Sequence, residues 1–329
     1  MPDFNGVPPP ARIVIASPAL AQQNNGNWQT ASRWGGFLDA HYTVDIVPAW
    51  DAGDAAPDLL IALHARRSAP SLEAFTQAFP QRPSILVLTG TDLYRDIAHD
   101  TRAQQALVQA TALVLLQPAG MAVLPAHVRD KAHVIYQSAE AMAPAAERTH
   151  TICMIGHLRD EKDPLTFMRA AALVDVDFIH IGAALDPHLA DAARATQATH
   201  SRYRWLGALP RTEARAHLAR SHAMVITSTM EGGANVIIEA VTSGVPVLAS
   251  DISGNRGMLG DDYAGYFPLG DAAALAALIA RTVGDPVFYA RLQAQCAVRA
   301  ALFTPGREQA ALRELVDNLL HTSIAQEFP

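Results

Sequence analysis

The chain is built on an alternation. Short β-branched and aliphatic runs are separated by longer alanine-rich stretches, and the rhythm restarts past the middle. ARIVIAS (11–17), YTVDIVP, DLLIALH, SILVLTG, ALVLLQ and HVIYQS read as strands, with helical segments such as 30–40 and 71–79 between them. Parallel strands need a long crossover, usually a helix, so this alternation favours parallel sheets covered by helices, the doubly wound class. AEAMAPAAERTH (139–150) breaks the pattern and reads as a linker. TICMIGH, VDFIHIG, YRWLGAL, AMVITS and PVLAS then form a second set of strands. The expected fold is therefore α/β, with two Rossmann-like doubly wound domains facing a cleft, over 1–140 and 150–305. A final stretch, 306–329, holds an amphipathic helix with Ala311, Leu312, Leu315, Leu319 and Leu320 at helical period. The sequence leaves its packing open, and a return to the first domain is one arrangement. Ligands of such sheets bind beyond the carboxyl ends of the strands, so motifs just after strands carry the most weight.

Bulk properties narrow the function. With 329 residues, half of them hydrophobic, the chain can bury two cores. A formal charge of −7 argues against nucleic acid as the main partner. Cys153 and Cys296 fit neither a disulfide framework nor a metal-ligand spacing. MPDFNGVPPPARIVIAS lacks the layout of a signal peptide, and no apolar run is long enough to span a bilayer. A cytoplasmic protein acting on small molecules, with no membrane association, is expected. The sequence is silent on oligomeric state. ARIVIASPALAQQNNG has no G-x-G-x-x-G, which argues against a nicotinamide oxidoreductase. DVD (175–177) runs straight into a strand and reads as structural rather than as a metal motif. No cofactor or metal is expected.

The most informative stretch is EGGANVIIEAVTSGVPVLAS, 231–250. AMVITS is a strand, TMEGGAN a turn and VIIEAVTS a helix ended by Gly244 and Pro246. Gly232 and Gly233 allow close backbone approach, and the helix start offers N–H groups to a phosphate. Glu231 and Glu239 are repelled by phosphate but suit vicinal hydroxyls. Sugar, diphosphate and ribose in a row satisfy all three features, as in a nucleotide sugar. An ordinary strand–turn–helix with a solvated Glu239 is the alternative for this stretch alone.

This stretch resembles the Glu–seven–Glu signature of retaining GT-B glycosyltransferases, matching at Glu231, Gly232, Glu239, Ala240, Gly244, Pro246, Val247, Ala249 and Ser250. The resemblance implies that Glu231 reaches donor-sugar hydroxyls and Glu239 the ribose, with the amides of Gly233, Ala234 and Asn235 facing sugar and diphosphate. MIGHLRDEKDP (154–164) occupies the place of the family's G-R-L-x-x-x-K-G, whose arginine and lysine neutralise the diphosphate. Lys162 falls on the lysine, His157 on the arginine and Asp163 on the last glycine, while Arg159 follows two places after His157. YRWLGALPRTEA (203–214) resembles the base-holding segment, in which Leu206, Gly207 and Leu209 would offer backbone groups; Trp205 reads equally as core or as a stacking platform.

Three loops follow strands of the first half: QQNNGNWQTASRW, LHARRSAPS and LTGTDLYRD. Asn25, Gly26 and Asn27 open a helix. Arg66 and Arg67 with His64 put positive charge at a strand end, and Thr89, Gly90, Thr91 and Asp92 add a tight polar loop. Together they suit a small anionic acceptor, although one of the two arginines reads as well as a solvated surface residue and His64 as a core histidine. These loops, with IGHLRDEKDP, RYRWLGAL, EGGANVIIEA and DDYAGYFPLGD, resemble the selenosugar synthases of selenoneine biosynthesis over about residues 11–315. That resemblance implies transfer from a UDP-sugar, such as UDP-N-acetylglucosamine, to selenophosphate, with Lys162, Arg159, Glu231 and His64 as the reacting set. An ionised selenium needs cations rather than a general base, and Asp92 would then orient a hydroxyl or His64. Three other readings remain: a hydroxyl acceptor with Asp92 or His64 as base, a sugar-nucleotide 2-epimerase needing no acceptor, and a non-catalytic nucleotide-sugar sensor.

Overall fold

The computed structural model describes residues 10–19, 26–142 and 148–327, with side chains through 322. It divides into two units, 1–135 with 306–329, and 136–305.

The first unit holds six parallel strands in the order β2-β1-β3-β4-β5-β6: β1 Arg12–Ala16, β2 Thr43–Val47, β3 Leu59–Leu63, β4 Ser84–Leu88, β5 Ala112–Leu115 and β6 Ala132–Val134. Period-two alternation sends its side chains to two cores. Ile13, Ile15, Leu59, Ile61 and Leu63 face one side, where Trp34 and Leu38 of the helix Gly26–Leu38 cover them. Val14, Ala16, Leu60 and Ala62 face the other, against Leu72, Phe75 and Trp50. Burial on both faces is why the inner strands β1, β3, β4 and β5 read as continuous apolar runs, while the edge strands β2 and β6 are only partly covered.

The long helix Pro305–Glu327 belongs to this unit, with Leu312, Leu315 and Val316 on the Trp34 side. A buried carboxylate fastens it. Glu308, 1% exposed, accepts from Arg33 Nε at 2.7 Å and Nη2 at 3.0 Å, and from Trp34 Nε1 at 2.7 Å.

The second unit repeats the design with the order β12-β11-β10-β7-β8-β9, again all parallel. Its strands are β7 Thr151–Ile155, β8 Asp177–Ile181, β9 Tyr203–Trp205, β10 Ala223–Ile226, β11 Val247–Ser250 and β12 Tyr266–Phe267. Asp175 and Asp177 of the DVD stretch pair with Arg202 at 2.5 Å and 3.1 Å beside β8 and β9, as structural groups do. Both cysteines are buried free thiols, and burial pushes Cys153 up to about 12. Of HVIYQS, only the first two residues are in a strand, since β6 ends at Val134. β12, two residues long, is too short for any period to show.

Candidate functional site

In the second unit the chain leaves β7 toward β8 and β9, then crosses back so that β10 flanks β7 on the other side. This is a topological switch point, where the loops after two adjacent strands emerge together. Lys162 comes from the loop after β7 and Glu231 from the loop after β10. Their side chains meet, with Lys162 Nζ 2.5 Å from Glu231 Oε1. At 18% and 10% side-chain exposure, the pair is largely withdrawn from water yet still reachable.

Hydrogen bonds between the two loops fix that meeting. Thr227, fully buried, donates its hydroxyl to the Lys162 carbonyl at 2.7 Å, and the Thr229 N–H donates to the Glu161 carbonyl at 2.9 Å. Gly254 permits the approach from the far side, since a Cβ there would sit 2.0 Å from the Glu231 carbonyl oxygen. Asp163 explains its own departure from the family pattern. Its backbone is left-handed, φ 39° and ψ 59°, the conformation for which glycine is the default. Aspartate is among the few other residues that visit it. Here its carboxylate also caps the helix Pro164–Ala171, accepting from the Thr166 hydroxyl at 2.6 Å and the Thr166 N–H at 3.3 Å.

Around the lysine, His157 Nδ1 accepts the Ala183 N–H at 3.0 Å, so its proton sits on Nε2. Desolvation, with Arg159 and Lys162 nearby, lowers its pKa and keeps it neutral. The positive charge of this loop is therefore carried by Arg159 and Lys162. Arg159 Nε is buried and takes no partner among the described residues.

His180 anchors the loop from beneath. Fully buried on β8, it donates Nε2–H to the Gly156 carbonyl at 3.1 Å and takes the Tyr203 hydroxyl on Nδ1 at 3.0 Å. Burial lowers its pKa from 6.5 to about 4. The unfolded chain therefore binds the extra proton throughout that window, and stability must fall as pH drops through it. We expect a loss of ~2–3 kcal/mol between pH 7 and pH 4.5 from this group alone. Denaturant unfolding of the protein and of His180→Asn at both pH values checks this. The stability difference between them should shrink by that amount at the lower pH, and a pH-independent difference would refute the assignment.

Glu239 sits in the helix Asn235–Thr242, which follows Glu231, Gly232, Gly233 and the capping residue Ala234. It is 6% exposed, so the solvated alternative fails. Its Oε1 accepts from Arg211 Nε at 2.9 Å and Nη2 at 2.7 Å, and Arg215 Nε lies 4.0 Å away. Arg211 opens the helix Arg211–Arg220, directly after the segment with Leu206, Gly207 and Leu209. In that segment the Leu206 N–H is already bonded to the His180 carbonyl at 2.9 Å, and the Gly207 carbonyl accepts the Gly182 N–H at 2.8 Å. Leu206 and Leu209 also pack on Cys153, Ile179, Ile181 and Ala214. Trp205 is half-buried, with its indole N–H on the Gly182 carbonyl at 2.9 Å.

The loops of the first unit form a second polar cluster. His64 follows β3 with φ 75°, an uncommon conformation for a residue other than glycine. Its Nδ1 accepts the Arg67 N–H at 3.3 Å, which puts the proton on Nε2, 3.1 Å from the Thr91 hydroxyl. Desolvation lowers its pKa. Arg66 and Arg95 both lie 3.1 Å from the buried Asp96 carboxylate, while the Arg67 side chain is exposed. Asp92 is fully buried and accepts backbone N–H groups from Ala65 at 2.8 Å, Thr89 at 2.9 Å and Gly90 at 2.8 Å. It clamps two loops together beside His64, where its charge opposes the effect of burial on that ring. Gly26 and Asn27 start the helix Gly26–Leu38, and Asn25 lies outside the described residues.

Sequence reasoning passed over Arg211, Arg215, Asp96, Thr227 and His180. Arg211 and Asp96 stood inside quoted stretches but matched no motif, and their roles come from partners 28 and 30 residues away.

Residues 149–285 match the family described as glycosyl transferases group 1. The matched stretch contains Lys162, Glu231 and Glu239. Solved structures share the fold of the wider chain. Sucrose-phosphate synthase from Thermosynechococcus elongatus superposes with a TM-score of 0.76 at 17% identity, covering 95% of this chain and 100% of that one. Anabaena HepE, solved with UDP and glucose, gives 0.74 at 15% identity, covering 94% and 100%. TarM of S. aureus, solved with UDP and α-GlcNAc-glycerol, gives 0.64 at 16% identity, covering 80% of this chain and 55% of that one. The two sheets are those of the GT-B fold. Among the described residues no cluster of three or more His, Cys, Asp or Glu could hold a metal ion, and no single helix is long and apolar enough to cross a membrane.

Proposed function

We propose that the protein is a selenosugar synthase, transferring a sugar from a UDP-sugar such as UDP-N-acetylglucosamine to selenophosphate. The observation that carries the donor half is the Lys162–Glu231 contact at the switch point, followed by Glu239 on the next helix. A cation beside a sugar-binding carboxylate, with a ribose-binding carboxylate one helix on, matches the order of groups in a nucleotide sugar. HepE and TarM, of the same fold, were solved with UDP. Charge develops on the diphosphate as the bond to C1 breaks, and Lys162 and Arg159 stabilise it more in the transition state than before.

The acceptor half rests on the resemblance of the first-unit loops to selenosugar synthases. It is supported by the chemistry of those loops. Of the two side chains that could serve a hydroxyl acceptor as base, Asp92 is enclosed by three backbone amides and both ring nitrogens of His64 are engaged, which leaves the departing diphosphate to take the proton. Selenophosphate needs no base, because its selenium is already ionised. In this reading, selenium forms a bond to C1 while the C1–oxygen bond breaks, its electron pair leaving on UDP. Water then cleaves the Se–P bond, its oxygen going to phosphate and a proton to selenium.

Mass spectrometry of the products from UDP-N-acetylglucosamine and selenophosphate tests this. The expected result is a selenium-bearing sugar with UDP and phosphate. Transfer to plain sugars with selenophosphate inert would favour a hydroxyl acceptor, and an epimerised donor formed without acceptor would favour a 2-epimerase.

A further inference from the structure

A carboxylate that binds a ribose diol must be ionised, held in one rotamer and left with acceptor capacity. Glu239 is almost fully buried, so its charge needs a partner nearby. That partner is supplied by the helix Arg211–Arg220, not by the Glu–seven–Glu stretch. Arg211 and Arg215 stand four residues apart on one face of that helix, so both guanidinium groups approach Glu239 from one side. Arg211 places two N–H donors on Oε1, and Oε2 accepts no hydrogen bond from the described residues. Arg215 is held in turn by its bond to the Glu140 carbonyl, while its Nε, 4.0 Å from Glu239 Oε1, is buried without a hydrogen-bond partner.

We propose that Arg211 is a positioning residue for nucleotide binding, and that Arg215 supports it. Arg211 fixes the Glu239 carboxylate through Oε1 and thereby presents Oε2 to the ribose hydroxyls. Two donors of one rigid guanidinium converge on that oxygen, which a flexible ammonium does not reproduce. The inference rests on Glu239 being the ribose ligand of a nucleotide-sugar site, and it adds the group that makes Glu239 competent. It also assigns a role to the first turn of the helix Arg211–Arg220, whose arginine would act on the nucleotide through Glu239.

The structure allows an opposite role as well: Arg211 could occupy the carboxylate and compete with the ribose. Binding of UDP and of 2′-deoxy-UDP, measured by calorimetry, separates the two. Hydrogen bonds to a charged group are worth ~1.5–3 kcal/mol, so the intact protein should prefer UDP by roughly 10- to 100-fold. In Arg211→Ala, UDP should bind at least about tenfold more weakly and the preference should fall to within about threefold. Arg211→Lys keeps the charge without the fork and should fall between. A merely structural contribution would lower both affinities and leave their ratio alone.

Tighter UDP binding by Arg211→Ala would overturn the proposal, because it would identify Arg211 as a competitor. An undiminished preference for UDP in Arg211→Ala would overturn it too. Should Arg211→Ala lose both ligands, or melt more than a few degrees lower, the same ratio measured on Arg211→Lys decides between the two roles. Failure of the intact protein to bind UDP would instead remove the nucleotide-sugar reading itself, and this inference with it.

Discussion

Lys162→Ala is expected to lower kcat by 10²–10³-fold with a UDP-sugar and selenophosphate, while UDP binding falls far less. The reasoning is differential. A donor aimed at charge that develops in the transition state typically contributes ~3–4 kcal/mol there and less in the ground state. Lys162 is held ready for that role in the proposed reaction, with a short contact to Glu231, limited exposure and a loop pinned by Thr227 and Thr229. The substitution also leaves Glu231 buried without its cation, so a modest loss of melting temperature should accompany it. Lys162→Arg retains the charge with a longer, planar head and should recover part of the rate. Single-turnover kinetics with each variant checks this. A kcat within about threefold of the unsubstituted protein would place Lys162 outside the chemistry.

Glu308→Ala is expected to destabilise the first unit by ~3–5 kcal/mol, the range seen when one partner of a buried ion pair is removed. Glu308 is enclosed and satisfies three donors, two from Arg33 and the Trp34 indole. Removing it strips an acceptor from Trp34, a fully buried side chain at the centre of the core beneath the terminal helix. Glu308→Gln keeps one oxygen for the indole and should lose less. Urea unfolding followed by tryptophan fluorescence reports on this unit, because Trp28, Trp34 and Trp50 lie in it and only Trp205 lies outside. A shift below ~1 kcal/mol would show that the helix is held by its apolar face alone.

How far the sequence could be read followed the range of the interactions involved. The inner strands of both sheets were legible because burial on two faces writes an uninterrupted apolar run. DLLIALH contains β3 and AMVITS contains β10 for this reason, whereas β12 carries too few residues to leave a pattern. The helix Asn235–Thr242 was legible from its turn and from Gly244, whose φ of 68° marks the stop. The three backbone amides that Asp92 gathers were not legible, because a polar loop aspartate has the same sequence signal whether it faces a ligand or holds loops together. Asp163 looked like a departure from its family pattern, yet the backbone keeps the conformation that glycine would supply.

The sequence by itself determined the α/β class, the alternation of strand and helix, and the chemistry available after each strand. These follow from local period and residue type, which need no partner. Tertiary structure alone decided that Lys162 meets Glu231 across 69 residues, that Arg211 holds Glu239, and that Glu308 fastens the last helix to the first unit. The first two depend on the order in which strands pair, because pairing order sets which loops emerge side by side, and the third on which helix the last one docks against. No local pattern encodes that order, since adjacent parallel strands read the same whichever neighbour they take.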